Sequence, residues 1–147
     1  MSNKIIDGKL ISSEIREKVK EFGDQLKSKT GKVPGLAVVL VGENPASRVY
    51  VKNKIEKTIE VGFNSIEHKL SEKVSENELI NLVDKLNNDE NVQGILVQLP
   101  LPEHVNSDKI LDRIKPEKDV DGFHANNVGK LWSGLNSLVP CTPLGCS

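Results

Sequence analysis

Between Ile11 and Lys29, the apolar residues Ile11, Ile15, Val19, Phe22 and Leu26 recur at spacings of four and three, which predicts a helix with one apolar stripe. Ser12 or Ser13 can cap its start, and Gly31 followed by Pro34 ends it. The pattern then changes to an unbroken apolar run, Leu36-Ala-Val-Val-Leu-Val41, closed by Gly42. A run of that kind suits a strand covered on both faces, as in a parallel sheet between helices. Glu43-Asn-Pro-Ala-Ser47 reads as a loop turning into a second helix, with Pro45 in its first turn. Val51, Ile55 and Ile59 form its expected core face, and Gly62 its stop. Ile66, His68 and Leu70 alternate as in a half-buried strand, and Ser75-Glu-Asn-Glu78 has the form of a capping box. The helix it opens turns Leu79, Leu82, Val83 and Leu86 inward. Val92 to Leu99 reads as another buried strand, broken by Pro100 and Pro102. Asn106 or Ser107 then starts a short helix with Ile110, Leu111 and Ile114, stopped by Pro116.

Strands alternating with helices predict an α/β fold: three α/β/α layers around a mostly parallel sheet, with right-handed crossovers. In such sheets ligands bind beyond the carboxyl ends of the strands. That rule singles out the loop after Val41 and the loop after Leu99. Turn formers dominate from Lys118 to Ser147, and the chain shows no internal repeat or low-complexity tract.

Composition narrows the function more than the fold. A chain of 147 residues, 37% hydrophobic and 28% charged, is the size and make-up of one globular domain. Its net charge of −1 gives no pull toward nucleic acid or an anionic membrane, and 3% aromatics is too few for base-stacking platforms. No apolar stretch is long enough to span a bilayer. The start Met1-Ser-Asn-Lys lacks the apolar run of a secretory signal, so the expected location is cytoplasmic. Cys141 and Cys146 have no nearby pair of histidines, so a reduced compartment is expected and no metal site. His68, His104 and His124 are scattered.

Three places offer chemistry. Tyr50 and Lys54, four apart, share one face of the second helix, about a quarter turn from its core stripe. A lysine at that boundary with the sheet can lose solvation and release its proton more readily, which makes it a usable base. The plainer alternative is an exposed lysine among Lys52 and Lys57. Tyr-x-x-x-Lys is also the pair of short-chain dehydrogenases, but that reading needs a glycine-rich dinucleotide loop. Gly42-Glu-Asn-Pro follows the first strand instead, and no G-x-G-x-x-G occurs in the chain. Gln98 closes an apolar strand, and its amide needs a partner: a ligand, the Lys54 amine, or loop backbone. Pro100 and Pro102 stiffen the next loop, with either peptide isomer open. Asp119 and Asp121 flank Val120; in extended backbone both would line one wall, while the alternative is aspartates capping turns. The adjacent Lys118 and the lack of further acids argue against a divalent metal there, and an acid that binds an amino-pyrimidine ring fits better.

Taken together, Gly42-Glu-Asn-Pro-Ala-Ser-Arg-Val-Tyr-Val-Lys-Asn-Lys54, Gly94-Ile-Leu-Val-Gln-Leu-Pro-Leu-Pro102 and Pro116-Glu-Lys-Asp-Val-Asp-Gly-Phe-His124 resemble three signatures of the bifunctional methylenetetrahydrofolate dehydrogenase/cyclohydrolase family. Asn127-Val-Gly129 and Pro140-Cys-Thr-Pro143 extend the likeness. The resemblance implies that Lys54 is the central catalytic group, that Tyr50 packs on and positions the folate, and that Gln98 holds Lys54 in its working state. It implies that Asp121 binds the pterin ring, that Ser47 supports the helix entrance, and that Leu99 and Pro100 line the substrate site. It also implies NADP as the cofactor of one-carbon metabolism, held by a second, nucleotide-binding half that these residues lack. Residues 1–147 are then expected to be the tetrahydrofolate-binding half, with the last residues starting the crossover. The implied oligomer is a homodimer of the full-length protein, with a monomeric fragment. A folding or folate-binding module without activity is the alternative. Ala125 departs from the family, which usually has proline after the histidine; a small effect on loop stiffness is expected.

Overall fold

The computed structural model describes residues 6–146. The start at Met1–Lys4 and the side chain of Cys146 lie outside the described residues. The elements run α1 (Gly8–Thr30), β1 (Gly35–Val41), α2 (Pro45–Glu60), β2 (Asn64–Leu70), α3 (Glu76–Asn88), β3 (Gly94–Val97), α4 (Ser107–Leu111), α5 (Ala125–Trp132) and α6 (Cys141–Cys146). The three strands form a parallel sheet in the order β2-β1-β3, so the unbroken apolar run is the central strand.

Alternation along β1 divides the core in two. Ala37, Val39 and Val41 join Ile95 and Val97 against Leu79, Val83 and Leu86 of α3 and Ile110 of α4. Val38, Leu40 and Leu96 face the other way, onto Val51 and Ile55 of α2. Each fully buried Leu, Ile or Val contributes roughly 1.5–3 kcal/mol. The first cluster is the larger and carries most of the stability; the second seats α2 and therefore the residues on it. Ser75 and Glu78 form the capping box expected for α3, and Asn106 caps α4.

Several expectations need correction. Asp7, not Ser12 or Ser13, caps α1, its carboxylate accepting from the N–H groups of Lys9 and Leu10. The α1 stripe does not enter the core: Ile11, Ile15, Phe22 and Leu26 are exposed, and Gly23 is the buried residue of that helix. There the ring of Phe63 fills the space a Cβ would need, which is why α1 docks through a glycine and an Arg16–Glu60 ion pair. Ile59 is exposed as well, because Val61 and Thr58 take the inward positions at that end of α2. β3 is shorter than Val92–Leu99, although the Gln98 N–H still reaches the Val39 carbonyl. The turn-rich tail contains two short helices, the first capped by the His124 imidazole, which accepts from the Asn126 N–H.

Candidate active site

The parallel sheet brings the carboxyl ends of β1 and β3 together, and the segments that follow them build one site. Asn44 caps α2 by accepting from the Ser47 N–H, and Pro45 starts the helix, as its fixed φ allows. Ser47 is buried, and its hydroxyl donates to the Leu99 carbonyl at 3.4 Å. This contact ties the α2 entrance to the loop after β3, next to the cis peptide Leu99–Pro100. The Gln98 amide nitrogen donates to the same carbonyl at 2.8 Å, which orients its oxygen outward. The half-buried Lys54 donates from Nζ to that oxygen at 3.2 Å. Among the alternatives for Gln98, the amine and the loop backbone are both taken: one by each end of the amide.

Tyr50 lies one turn before Lys54 but is 61% exposed, so the shared face borders the sheet at Lys54 and opens to water at Tyr50. A phenol in that position can lie over a flat ligand held at the lysine. Leu99 is half-buried and Pro100 exposed at the rim.

The two aspartates do not line one wall. Asp119 bridges to Ile95 and residues 120–122 bend away from the sheet, and Asp119 is buried at 3% exposure with its carboxylate bonded inside the loop. Asp121 is half-buried, and it is the one on which the Lys54 charge acts. Burial pushes its carboxyl above the ordinary range, the Lys54 ammonium pulls it back, and the Asp119 carboxylate adds to the rise. Its carboxylate makes no hydrogen bond among the described residues, which leaves it for a ligand donor. Lys118, weighed above only as a charge, donates to the Leu86 and Asp89 carbonyls at the end of α3, and desolvation lowers its proton affinity. Asn127, which the resemblance took in without giving it a role, is buried against Asp119. A short helix in a turn-rich tail gives no periodicity from which to foresee a buried amide.

A carboxylate disfavoured by burial weakens the fold once ionised. The penalty is absent below the unfolded-state value near about 3.9 and grows as pH climbs through the raised native value. Asp121→Asn is therefore expected to melt higher than the parent at neutral pH, with the difference vanishing by about pH 3. Melting curves across pH check this; equal melting temperatures at pH 7 contradict it.

A groove of about 590 Å³ between α2 and β2, and an apolar one of about 430 Å³ beside Val19 and Val120, lie away from Lys54 and Gln98. Among the described residues, no group of three or more His, Cys, Asp or Glu gathers as metal ligands do, and no helix is long and apolar enough to cross a membrane.

The comparison with known sequences bears on this arrangement directly. Residues 6–121 match the catalytic domain of tetrahydrofolate dehydrogenase/cyclohydrolase. The chain belongs to that family. The Roseobacter denitrificans bifunctional protein FolD 2 is 57% identical over 146 residues, covering 99% of this chain and 49% of that protein. The Zymomonas mobilis bifunctional protein FolD is 55% identical over 142 residues, 97% of this chain and 48% of the relative. The chain thus spans about half the length of the curated relatives it matches. Among solved structures, the Campylobacter jejuni bifunctional FolD superposes with a TM-score of 0.91 at 52% identity, over 95% of this chain and 50% of that one. The Trypanosoma brucei FolD, solved with NADP cofactor and an inhibitor, gives 0.90 at 34% identity, over 95% and 48%. The family match takes in Ser47, Tyr50, Lys54, Gln98, Leu99, Pro100 and Asp121, and ends at the last of them. Ala125, beyond it, donates its N–H to Asp112 at 3.3 Å. A proline here could not make that bond, although the first helical position would accept the ring.

Proposed function

We propose that this chain is the folate-binding, acid–base half of a bifunctional methylenetetrahydrofolate dehydrogenase/cyclohydrolase, in which Lys54 moves the protons of hydrolysis. The observation that carries the reading is the Lys54–Gln98 contact between α2 and the end of β3, in a family whose relatives bear that bifunctional name. The ligand is a reduced folate: Asp121 accepts from the amino-pyrimidine edge of the pterin, Tyr50 lies on the flat ring system, and Leu99 and Pro100 form the rim. Ser47 holds the two halves of the cleft together through the Leu99 carbonyl.

The 5,10-methenyl substrate is a cation, and it repels an ammonium beside it. Gln98 bonds the Lys54 nitrogen without adding charge beside the cation. Water adds its oxygen to the bridging carbon and passes one proton to the amine. Lys54 returns a proton to ring nitrogen N5 as the carbon–N5 bond breaks, and the second water proton leaves to solvent as the carbonyl forms. The formyl group stays on N10. General acid–base catalysis of this type is worth about 10²–10⁴-fold.

The preceding oxidation of 5,10-methylenetetrahydrofolate to the methenyl cation would need NADP as the hydride acceptor. This chain's residues do not fit a dinucleotide, since no G-x-G-x-x-G follows any strand. That cofactor belongs to the second half spanned by the relatives, the half through which a homodimer would form, while this chain alone is monomeric. The purified chain is accordingly expected to form no NADPH from methylenetetrahydrofolate; production above background contradicts this. The setting is cytoplasmic, where cysteines such as Cys141 and Cys146 stay reduced.

Binding is tested by melting the chain with 5-formyltetrahydrofolate, a stable reduced folate. At about 100 times Kd, a ligand of the native state adds about 2.7 kcal/mol, or a rise of roughly 5–10 °C for a chain of this size. No rise with a folded chain leaves the alternative, a folding module without a folate site.

A further inference from the structure

The turn that presents Asp121 is closed by a buried acid. The Asp119 carboxylate accepts from the Gly122 N–H at 3.0 Å through one oxygen, and from the His124 N–H and Asn127 Nδ2, each at 2.9 Å, through the other. Three donors offset much of the cost of burying an ionised carboxylate. The backbone of Asp119 is tied to the sheet, bridging to Ile95, whose N–H reaches the Lys118 carbonyl at 2.7 Å. On the far side, Gly122 has φ +71°, and a Cβ there would come within 2.9 Å of the Leu138 carbonyl oxygen. Asp121 therefore stands on the crest of a turn held at both shoulders by one carboxylate. Asn127 locks that carboxylate from α5, donating also to the Pro116 carbonyl at 2.8 Å, and its own carbonyl accepts from the Ser137 hydroxyl.

We propose that Asp119, locked by Asn127, is the positioning residue that fixes the turn presenting Asp121 and places a second negative charge near it. The inference rests on the folate reading of the cleft. Its physical content is twofold. The bonds to Gly122 and His124 remove the freedom of the intervening residues, so that Asp121 meets its ligand without first being ordered. The charge of Asp119 makes the Asp121 carboxyl hold its proton more tightly, and the charged groups acting on Asp121 are Lys54 from α2 and Asp119 from its own turn.

The test measures 5-formyltetrahydrofolate binding to the whole chain by calorimetry from mildly acidic to neutral pH. Asp119→Asn is expected to weaken binding by about tenfold and to move the acid midpoint of binding to lower pH. Asn127→Ala keeps the charge but loosens the turn, so affinity falls by a similar factor with the midpoint in place. This second variant also serves if Asp119→Asn does not fold. Parent-like affinity in Asn127→Ala, or an unmoved midpoint in a folded Asp119→Asn, overturns the proposal. Failure of the underlying reading looks different: the parent itself does not bind, or Asp121→Asn binds as well as the parent, and either result sinks both claims.

Discussion

Replacing Lys54 by methionine is expected to slow hydrolysis of 5,10-methenyltetrahydrofolate by about 10²–10⁴-fold while leaving the fold intact. Methionine is unbranched, similar in length and a good helix former, so α2 keeps its packing. What is lost is the nitrogen proposed above to shuttle the proton, together with the 3.2 Å bond to the Gln98 oxygen. That bond is half-exposed, and its loss costs about 1 kcal/mol of stability. Lys54→Arg separates the chemistry from simple charge. A guanidinium keeps the positive charge but does not give up its proton. If Lys54 works by moving protons, the arginine variant is as slow as the methionine one; activity retained with arginine contradicts the assigned role.

Gly35→Ala is expected to lower stability by about 3 kcal/mol, a fall in melting temperature of roughly 6–12 °C. Gly35 opens β1 and is locked to the turn before β3: its N–H donates to the Gln93 side chain at 2.7 Å, and its carbonyl accepts from the Gln93 N–H at 2.8 Å. A Cβ there would lie 2.0 Å from the Asn91 carbonyl oxygen, a backbone atom that cannot swing aside. The alanine must push the 89–93 turn off the sheet, which disturbs the register that sets Gln98 opposite Lys54. Gly129→Ala is the control. It lies in α5 with nothing within 4 Å of the new methyl, so it is expected to be neutral or to stabilise by about 0.5–1 kcal/mol. Thermal melts of the two variants decide: a Gly35→Ala chain that melts like the parent contradicts the packing described.

The readable parts of the sequence were those where one local rule decides. The apolar run of β1, the capping box at Ser75 and the proline at the start of α2 each have a single physical solution, and the structure adopts it. The helical spacing that put Tyr50 and Lys54 on one face was correct, yet their exposures differ, because burial depends on the loop after β3 and not on α2 alone. The α1 stripe shows the limit most plainly. Its periodicity made the helix, but which surface covers a stripe is a tertiary matter, and within this chain it stays open. Asp119 and Asp121 illustrate the same point on a smaller scale. Alternation in an assumed strand paired them, whereas three short hydrogen bonds curl the segment and send the two carboxylates to different tasks.

The most direct test of the central claim is the cyclohydrolase rate of this chain, followed as loss of 5,10-methenyltetrahydrofolate absorbance against buffer and beside the Lys54→Met variant. Acceleration by the parent that disappears in the variant is the predicted result. A variant that accelerates as much as the parent contradicts the assignment of Lys54 as the acid–base group of a folate site.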